Sequence, residues 1–284
     1  MTLTSTPSTA SVGRERSRRR LAERYGSAQN LDVAAHNDVL DVQLRHRTVR
    51  SYLPDALEPS IVPTLVAAAQ SAPSSSNLQL WSVVAVEDAG RRDRIAALAG
   101  GQEHIRTAPL LLVWVADLAR ARAIGSAADV HLEGSEFLES TLVAVIDAAL
   151  AAQNALVAAE SLGLGTVYIG AVRNHPQQIA AELGLPPGVV AVVGLVVGHA
   201  DPAGGERVKP RLPQEAVLHR ERYDLDSQDA HVATYEQLIE PFYRSEGLPG
   251  GWRERVIDRL RVPGSLKGRA HLRSALEALG LPSK

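Results

Sequence analysis

The chain has 284 residues, of which 45% are hydrophobic and 22% are charged, and it contains no cysteine. This composition is that of a globular protein with a full hydrophobic core, and it excludes a disulfide-rich mini-protein or a disordered tail. Without cysteine there can be no disulfide, iron–sulfur cluster, thiolate zinc site or cysteine nucleophile, so any redox chemistry depends on a bound cofactor.

Charge is distributed unevenly along the chain. The formal net charge is −2, but residues 1–30 carry +4 and the remaining residues carry −6. An acidic body argues against a nucleic-acid-binding surface, although the basic N-terminal arm could contact an anionic partner.

The N-terminal segment is rich in Ser, Thr and Arg and offers hardly any apolar side chain to bury. We therefore predict that residues 1–35 form a disordered basic extension, or a helix that orders late, and that residues 36–284 form one domain with a helical C-terminal arm. The segment lacks the apolar stretch of a secretory signal, so we expect a cytoplasmic protein; an organellar transit peptide is the alternative.

Helical and strand-like patterns then alternate without a repeat. Apolar spacing and Pro or Gly stops predict helices at 59–72, 90–99, 136–161 and 176–183. Short β-branched runs predict buried strands at 81–86, 110–115, 166–169 and 189–197. After Asp201 we predict an extended stretch to Pro213, followed by polar helices around 228–245 and 252–276.

The predicted helix over 136–161 is the longest element and is apolar on nearly every side. Such a helix either spans a membrane or lies in a core and at an interface. Polar residues such as Asp147 and Glu160 interrupt it too often for lipid, which favours the core. Its many alanines permit close helix packing, so we expect a dimer interface along it.

Several familiar motifs are absent or reversed. Gly163 and Gly165 follow a helix and precede a strand, which is the reverse of a dinucleotide-binding fingerprint, so a tight turn explains them better. Gly170 lies just past that strand and could let a flat ligand approach the backbone. The nine histidines show no metal-ligand spacing, and no G-x-S-x-G element indicates a hydrolase.

Two basic segments are candidates for anion binding. In Lys209-Pro210-Arg211 the proline favours an extended residue before it, so both cations point to one side. The sequence fits either a phosphate clamp or a solvated loop. His46, Thr48 and Arg50 share a face if their segment is extended, which fits an anionic polyol site or an ordinary basic strand.

Two loops could add hydrogen-bonding groups to a ligand site. Ser74, Ser75, Ser76 and Asn77 lie between a helix stop and a buried strand, where loops commonly bind ligands. A plain turn explains them almost equally well. Gln102 offers an amide beside flexible backbone, and a helix C-cap is its alternative role.

Taken together, these motifs resemble the FMN-dependent nitroreductase family, and more narrowly its NADPH-dependent, oxygen-insensitive nitroreductase and flavin reductase branch. The resemblance covers about residues 36–260. It rests on the order and spacing of His46-Arg47-Thr48-Val49-Arg50, Ser74–Gln79, Gly100-Gly101-Gln102, Ala152-Gln153-Asn154, Leu162–Gly165, Tyr168-Ile169-Gly170 and Lys209-Pro210-Arg211.

The resemblance implies an α+β fold with a central, mainly antiparallel sheet between helices. It also implies a homodimer with the long helix at the interface and an FMN site to which both subunits contribute. No side chain is implied as a catalytic residue, because flavin N5 carries the chemistry, and no metal is implied.

The resemblance also assigns roles to individual residues. The residues implied to bind the phosphate and ribityl end of FMN are His46, Arg47, Thr48, Lys209 and Arg211. Arg50 is implied at the pyrimidine edge, and Ser74 and Gln102 as hydrogen-bond partners of the cofactor. The ring near N5 is implied to be lined by Tyr168, Ile169, Gly170 and Ala171, where Ala171 replaces a glycine common in the branch. Arg244 and Arg253 are the candidates for binding the NADPH 2′-phosphate.

The implied activity is a ping-pong transfer of hydride from NADPH, or NADH, through flavin N5 to nitroaromatic, quinone or free flavin acceptors. A guanidinium near N1 would stabilise the reduced flavin without a general acid from the protein. One alternative is a non-catalytic flavin- or nucleotide-binding sensor on the same fold. Another is a related chemistry such as reductive dehalogenation or flavin fragmentation.

Overall fold

A computed structural model describes residues 9–26, 36–281 and 284 of the chain. These divide into two compact units. The helical unit comprises the described residues up to Arg47 together with Arg207–Ser265, and the sheet unit comprises Thr48–Glu206 with the described residues from Leu266 onward. The predicted domain boundaries, 1–35 and 36–284, stay a prediction.

The helices within these ranges are α1 (Thr9–Tyr25), α2 (Asp38–Leu44), α3 (Ile61–Gln70), α4 (Ala89–Leu98), α5 (Glu103–Thr107), α6 (Ala119–Ala127), α7 (Leu138–Ser161), α8 (Pro176–Leu183), α9 (Gln228–Ser245), α10 (Trp252–Leu260) and α11 (Leu272–Ala278). The sheet unit contains α3–α8 and α11, and the helical unit contains the other four. Short 3-10 turns connect several of them, including Ser75–Asn77 and Gly170–Arg173.

One antiparallel sheet forms the centre of the sheet unit. Its strands are β1 (Trp81–Val86), β2 (Leu110–Asp117), β3 (Gly165–Ile169) and β4 (Val189–Gly198), in the spatial order β1-β2-β4-β3. All three pairings are antiparallel. The predicted α+β fold with a central, mainly antiparallel sheet between helices is confirmed.

The register of β2 shows how both faces of the sheet are buried. Leu110, Leu112 and Trp114 pack in one cluster with residues of α3 and α7. The alternate residues Leu111 and Val113 pack in a second cluster with residues of α4 and α8. Because side chains alternate across a strand, this places helices on both sides of the sheet and buries every residue of β2.

The long helix α7 packs its small residues against the sheet, with Ala151, Ala152 and Ala155 fully buried. Among the described helices, it has the length and apolar composition to cross a membrane, a test that the core helix of a folded protein also passes. Its packing is that of a core helix, as the sequence predicts.

The helical unit has a small core of its own. Tyr235, Ile239 and Tyr243 lie on the buried face of α9 and contact Trp252 of α10. The hydroxyl of Tyr235 donates to the carbonyl oxygen of Pro210 at 3.1 Å. This contact attaches the Lys209–Arg211 segment to α9.

The structure adds detail to the sequence prediction at both ends of the chain. Within residues 1–35, for which the sequence predicts either disorder or a helix that orders late, Thr9–Tyr25 form α1, and Ser17, Leu21 and Arg24 recur on it at helical spacing and are buried. Residues 1–8 and 27–35 of that extension lie outside the described residues. The predicted helix over 252–276 is interrupted after α10, where Pro263 begins a 3-10 turn. The helices α2, α5 and α6 were not predicted.

Candidate active site

Two predicted phosphate-binding segments meet in the helical unit at one buried side chain, Arg24 of α1. Its Nη1 donates to the carbonyl oxygen of Lys209 at 2.9 Å, and its Nη2 donates to that of His46 at 2.7 Å. Because one guanidinium binds both carbonyls, the His46 and Lys209 segments lie side by side. The ammonium of Lys209 also lies over the ring of Phe242, 5.4 Å from its centroid.

The other cations of these segments are exposed. The Arg211 backbone N–H donates to the carbonyl oxygen of Arg24 at 2.9 Å, and its guanidinium donates to the Lys209 carbonyl oxygen at 3.2 Å. Arg47 is exposed as well. Exposed guanidiniums beside half-buried His46 and Lys209 make an electropositive surface suited to a phosphate group.

In the sheet unit, Thr48 and Arg50 lie on an extended segment, as predicted. Thr48 forms a parallel bridge with Thr166 of β3, and the Val49 N–H donates to the Thr166 carbonyl oxygen at 2.9 Å. The Glu206 carboxylate accepts from the backbone N–H groups of Arg50, at 2.9 Å, and Ser51, at 3.0 Å. Glu206 therefore fixes the backbone of Arg50, while the Arg50 guanidinium stays exposed.

A buried histidine lies within reach of that guanidinium. Burial lowers the pKa of His104, and the positive charge of Arg50 lowers it further. His104 is 9% exposed, and its Nε2 has no partner among the described residues. The His104 imidazole is therefore uncharged at neutral pH, and the positive charge beside it is that of Arg50.

The Ser74 hydroxyl is engaged by the protein itself. It donates to Asp147 of α7 at 2.9 Å and accepts from the Gln79 N–H at 2.8 Å. Asp147, which is 2% exposed, also accepts from the backbone N–H groups of Ser75 and Leu80, both at 3.1 Å. The carboxylate thus supports a loop in which Ser76, Asn77 and Gln79 adopt positive φ.

Gln102 has the structural role that the sequence left open. Its amide donates to the Ala99 carbonyl oxygen at 2.8 Å, just past the end of α4. The chain leaves the end of α4 through Gly100 and Gly101, whose φ values of 81° and 73° suit glycine. In this arrangement the Gln102 side-chain oxygen remains the group that could meet a ligand.

The Tyr168–Ala171 segment presents backbone more than side chains. Ile169 is buried in the core, and the Tyr168 hydroxyl donates to Gln153 over a long 3.4 Å. Gly165 is required by packing, since a Cβ there would lie 2.8 Å from Val49. At Gly170 the nearest atom to such a Cβ is a nitrogen of Arg173 at 3.4 Å, so packing does not demand glycine. A ligand approaching the backbone would explain it.

Two guanidinium groups flank Gly170. Arg173 and Arg269 both have nitrogens within 4 Å of the position that a Gly170 Cβ would occupy. Burial lowers the pKa of Arg173, and the charge of Arg269 lowers it further. The structure therefore concentrates positive charge beside the Gly170 backbone.

The two candidates for the NADPH 2′-phosphate lie in ion pairs of the helical unit. Arg244 pairs with Glu240 one turn earlier on α9. Arg253 donates to Asp229 at 2.7 Å, and its backbone N–H donates to Glu236 at 2.6 Å. Their assignment to NADPH stays a prediction.

Sequence reasoning missed four residues that bind or flank the predicted site residues within their own units, namely Arg24 in the helical unit and Asp147, Glu206 and Arg269 in the sheet unit. Asp147 left a signal, because a lone carboxylate in an apolar helix needs buried donors. The other three left none, since each belongs to a polar stretch that is typical of a solvated surface. Within the described ranges, no three His, Asp or Glu side chains cluster as a metal site would require.

Comparison with known proteins gives two matches to family models. The model described as nitroreductase family matches residues 44–199, and the model for the C-terminal domain of that family matches residues 209–284. Helix α1 lies outside both matches.

Characterised relatives match over most of their length. The chain is 40% identical over 252 residues to an FMN reductase [NAD(P)H] of Bacillus subtilis, covering 86% of this chain and 98% of that protein. It is 37% identical over 203 residues to an oxygen-insensitive NADPH nitroreductase of Salmonella typhimurium, covering 71% and 81%. The solved NADPH:FMN oxidoreductase of Vibrio harveyi in complex with NAD+ superimposes with a TM-score of 0.78 at 33% identity, covering 87% and 100%.

Proposed function

The chain belongs to the nitroreductase family, and on that premise we propose that it is an FMN-dependent oxidoreductase using NADPH or NADH. Its acceptors are nitroaromatics, quinones or free flavin, in keeping with relatives named as nitroreductase and FMN reductase. FMN bound to this chain would supply the hydride-transfer chemistry between the nicotinamide and the acceptor.

The observation that carries the proposal is the convergence of the His46 and Lys209 segments on Arg24. A phosphate monoester needs several donors and positive charge, and the exposed Arg211 and half-buried Lys209 supply both. His46, Arg47 and Thr48 complete this set. These residues bind and orient the cofactor through its phosphate and ribityl chain.

Residues of the sheet unit are proposed to contact the flavin ring of FMN. Arg50, with its backbone held by Glu206, places positive charge at the pyrimidine edge. Gln102 and Ser74 offer polar atoms, and Tyr168, Ile169, Gly170 and Ala171 offer backbone for the ring to rest on. The absence of any packing requirement for glycine at Gly170 supports this fit. No proton-transferring side chain is assigned.

The nicotinamide nucleotide is negatively charged, and it must bind close to the flavin ring, beside the Gly170 segment. Arg269 and Arg173 flank Gly170 and supply positive charge there. Arg244 and Arg253 remain candidates, although their guanidiniums already bind carboxylates. We assign the larger part of nucleotide attraction to Arg269, because a nitrogen of its guanidinium lies within 4 Å of the position that a Gly170 Cβ would occupy.

We also infer a homodimer that uses the outer face of α7. Leu138, Leu142, Ile146 and Leu150 recur every four residues on that helix and are all exposed. An apolar row of this length is typical of a subunit interface. Sedimentation of the wild-type protein at twice the monomer mass, and of Ile146→Glu at the monomer mass, would support it. The cytoplasmic location stays a prediction.

The function is tested with the purified protein and FMN. The holoprotein should be yellow, lose its colour when NADPH is added without oxygen, and regain it when a quinone or nitroaromatic follows. A protein that stays colourless after incubation with FMN would contradict the proposal. Colour that persists after both NADPH and NADH would point to the sensor instead.

A further inference from the structure

Arg24 is a buried cation that belongs to neither segment matched by the family models. It lies in the last turn of α1, and it is 6% exposed. Burying a guanidinium is costly unless its N–H groups find acceptors. Arg24 meets this need with carbonyl oxygens, donating to Lys209 at 2.9 Å, to Leu44 at 2.9 Å and to His46 at 2.7 Å.

These contacts fix backbone on both sides of the proposed phosphate site. The bonds to Leu44 and His46 hold the residues that precede Thr48. The bond to Lys209, and the bond from the Arg211 N–H to the Arg24 carbonyl oxygen at 2.9 Å, hold the Lys209–Arg211 segment at two points. A side chain can be placed only as accurately as the backbone that carries it. Arg24 therefore sets the spacing between the two groups of cations.

Helix α1 is itself anchored, which keeps Arg24 in place. Asp41 of α2 is buried and accepts from Arg16 at 2.7 Å and from Arg20 at 3.2 Å. Burial alone would raise the pKa of Asp41, but hydrogen bonds and charge from Arg20 and Arg16 outweigh it and lower that pKa. Ser17 adds a hydrogen bond to His36 at 2.8 Å. Four residues of α1 thus hold the helix to the segment that leads to His46.

We propose that Arg24 is a positioning residue for the FMN phosphate, and that α1 is thereby part of the cofactor-binding machinery. Arg24 does not touch the phosphate in this proposal. It acts through His46, Lys209 and Arg211, whose backbones it binds. The inference rests on the proposed function and adds to it a residue from outside the family-model matches.

The test compares FMN with riboflavin, which lacks only the phosphate. Both are titrated into apoprotein and followed by flavin fluorescence. For Arg24→Ala we expect the FMN dissociation constant to rise about tenfold or more, as for loss of a charge-assisted contact, while that of riboflavin changes less than about twofold. A merely structural loss would weaken both ligands equally.

Two further variants complete the design. Arg24→Lys keeps the charge but cannot span three carbonyls from one flat fork, so we expect a smaller loss of FMN affinity and unchanged riboflavin affinity. If Arg24→Ala does not fold, the comparison of FMN with riboflavin is made with Arg24→Lys instead. Arg19→Ala, an exposed residue of the same helix, should change neither affinity.

The outcomes separate this inference from the proposed function. A wild-type protein that prefers FMN, with both Arg24 variants keeping that preference, would overturn the role of Arg24 alone. Equal losses of FMN and riboflavin would overturn it too. A wild-type protein that binds neither flavin would overturn the proposed function together with this inference.

Discussion

The residues proposed for the phosphate, called here the phosphate side, lie in the helical unit apart from Thr48, and those proposed for the ring, called the ring side, lie in the sheet unit. The two groups differ in what their side chains already contact. On the phosphate side, protein partners hold the backbone of His46, Lys209 and Arg211, and exposed guanidinium remains for an anion. On the ring side, the Ser74 hydroxyl already donates a hydrogen bond to Asp147, and the Gln102 amide already donates one to the Ala99 carbonyl oxygen. Under the proposed function, side chains would therefore recognise the charged end of the cofactor, and backbone would contact most of the flat end.

This difference follows from the chemistry of the two ends. A phosphate needs formal charge and several donors, which only basic side chains supply in quantity. A ring needs a flat surface and a few hydrogen bonds, which a well-supported loop can provide. The ring side should therefore depend on the groups that hold its loops, and the phosphate side on the cations themselves.

The largest effect is expected where a ring-side loop loses its support. Asp147→Ala should lower the free energy of unfolding by about 3 kcal/mol, because three donors lose a buried acceptor. Urea unfolding measures this. Asp147→Asn keeps one acceptor oxygen and should lose less, and exposed Glu139→Ala on the same helix should lose almost nothing. A loss below about 0.5 kcal/mol for Asp147→Ala would contradict the support role.

The comparison becomes sharper when one residue from each side is truncated. Arg211→Ala should weaken FMN binding by about 1.5–3 kcal/mol, the value of a charge-assisted hydrogen bond. Ser74→Ala should weaken it less than about threefold, since its hydroxyl donates to Asp147. Equilibrium titration with FMN measures both. A Ser74 effect larger than the Arg211 effect would reverse the comparison.

Arg50 is the ring-side exception, because it contributes charge. Replacing it by glutamine should lower the two-electron reduction potential of bound FMN by roughly 30 mV, which corresponds to about 1.4 kcal/mol. Positive charge near the pyrimidine stabilises the reduced cofactor. Spectroelectrochemistry measures the shift. Arg94→Gln, a surface residue paired with Glu182 in the same unit, should leave the potential unchanged.

Nucleotide binding should depend more on Arg269, which flanks Gly170, than on Arg244. Arg269→Ala should raise the KM for NADPH about fivefold with little change in kcat, as expected for one partly exposed charge contact. Arg244→Ala should change it less than about twofold, because that guanidinium already binds Glu240. Steady-state kinetics with a fixed quinone would decide, and a larger effect at Arg244 would restore it as the phosphate-binding residue.

The smallest expected effect is on a single proton. Arg50→Gln should raise the pKa of His104, since the positive charge of Arg50 disfavours the imidazolium. The pKa should remain below that of an ordinary histidine, because burial, the larger cause, persists. NMR titration of the imidazole protons would show it. An unchanged pKa would mean that the guanidinium does not reach His104.

Most regular elements of the fold could be predicted because their signals are local. The strand Trp81–Val86 and the helix Pro176–Leu183 match their predicted limits, since a β-branched run and an N-terminal proline mark them. Short helices such as α2 and α5 were missed because five to seven residues hold too little periodicity. Helix α1 could be predicted only as an alternative to disorder, because its charged residues find partners only in the tertiary structure.

The candidate site divides in the same way. A pair of cations such as Lys209 and Arg211 is visible in the sequence as a candidate for phosphate binding, although a solvated loop fits the same pattern. The engagement of Ser74 by Asp147 could not be predicted, because 73 residues separate them. The sequence places Arg24 only in a basic N-terminal extension, because no residue near it in the sequence indicates that three carbonyl oxygens will accept its hydrogen bonds.

The bond from Arg24 to Lys209 also bears on the order in which the protein forms. It joins residues 185 positions apart, and all four strands are synthesised before Lys209. At about 5–20 residues per second, a ribosome needs roughly ten to forty seconds to span that interval. Arg24, in the first long helix to emerge, can therefore form this contact only after nearly three-quarters of the chain has been synthesised.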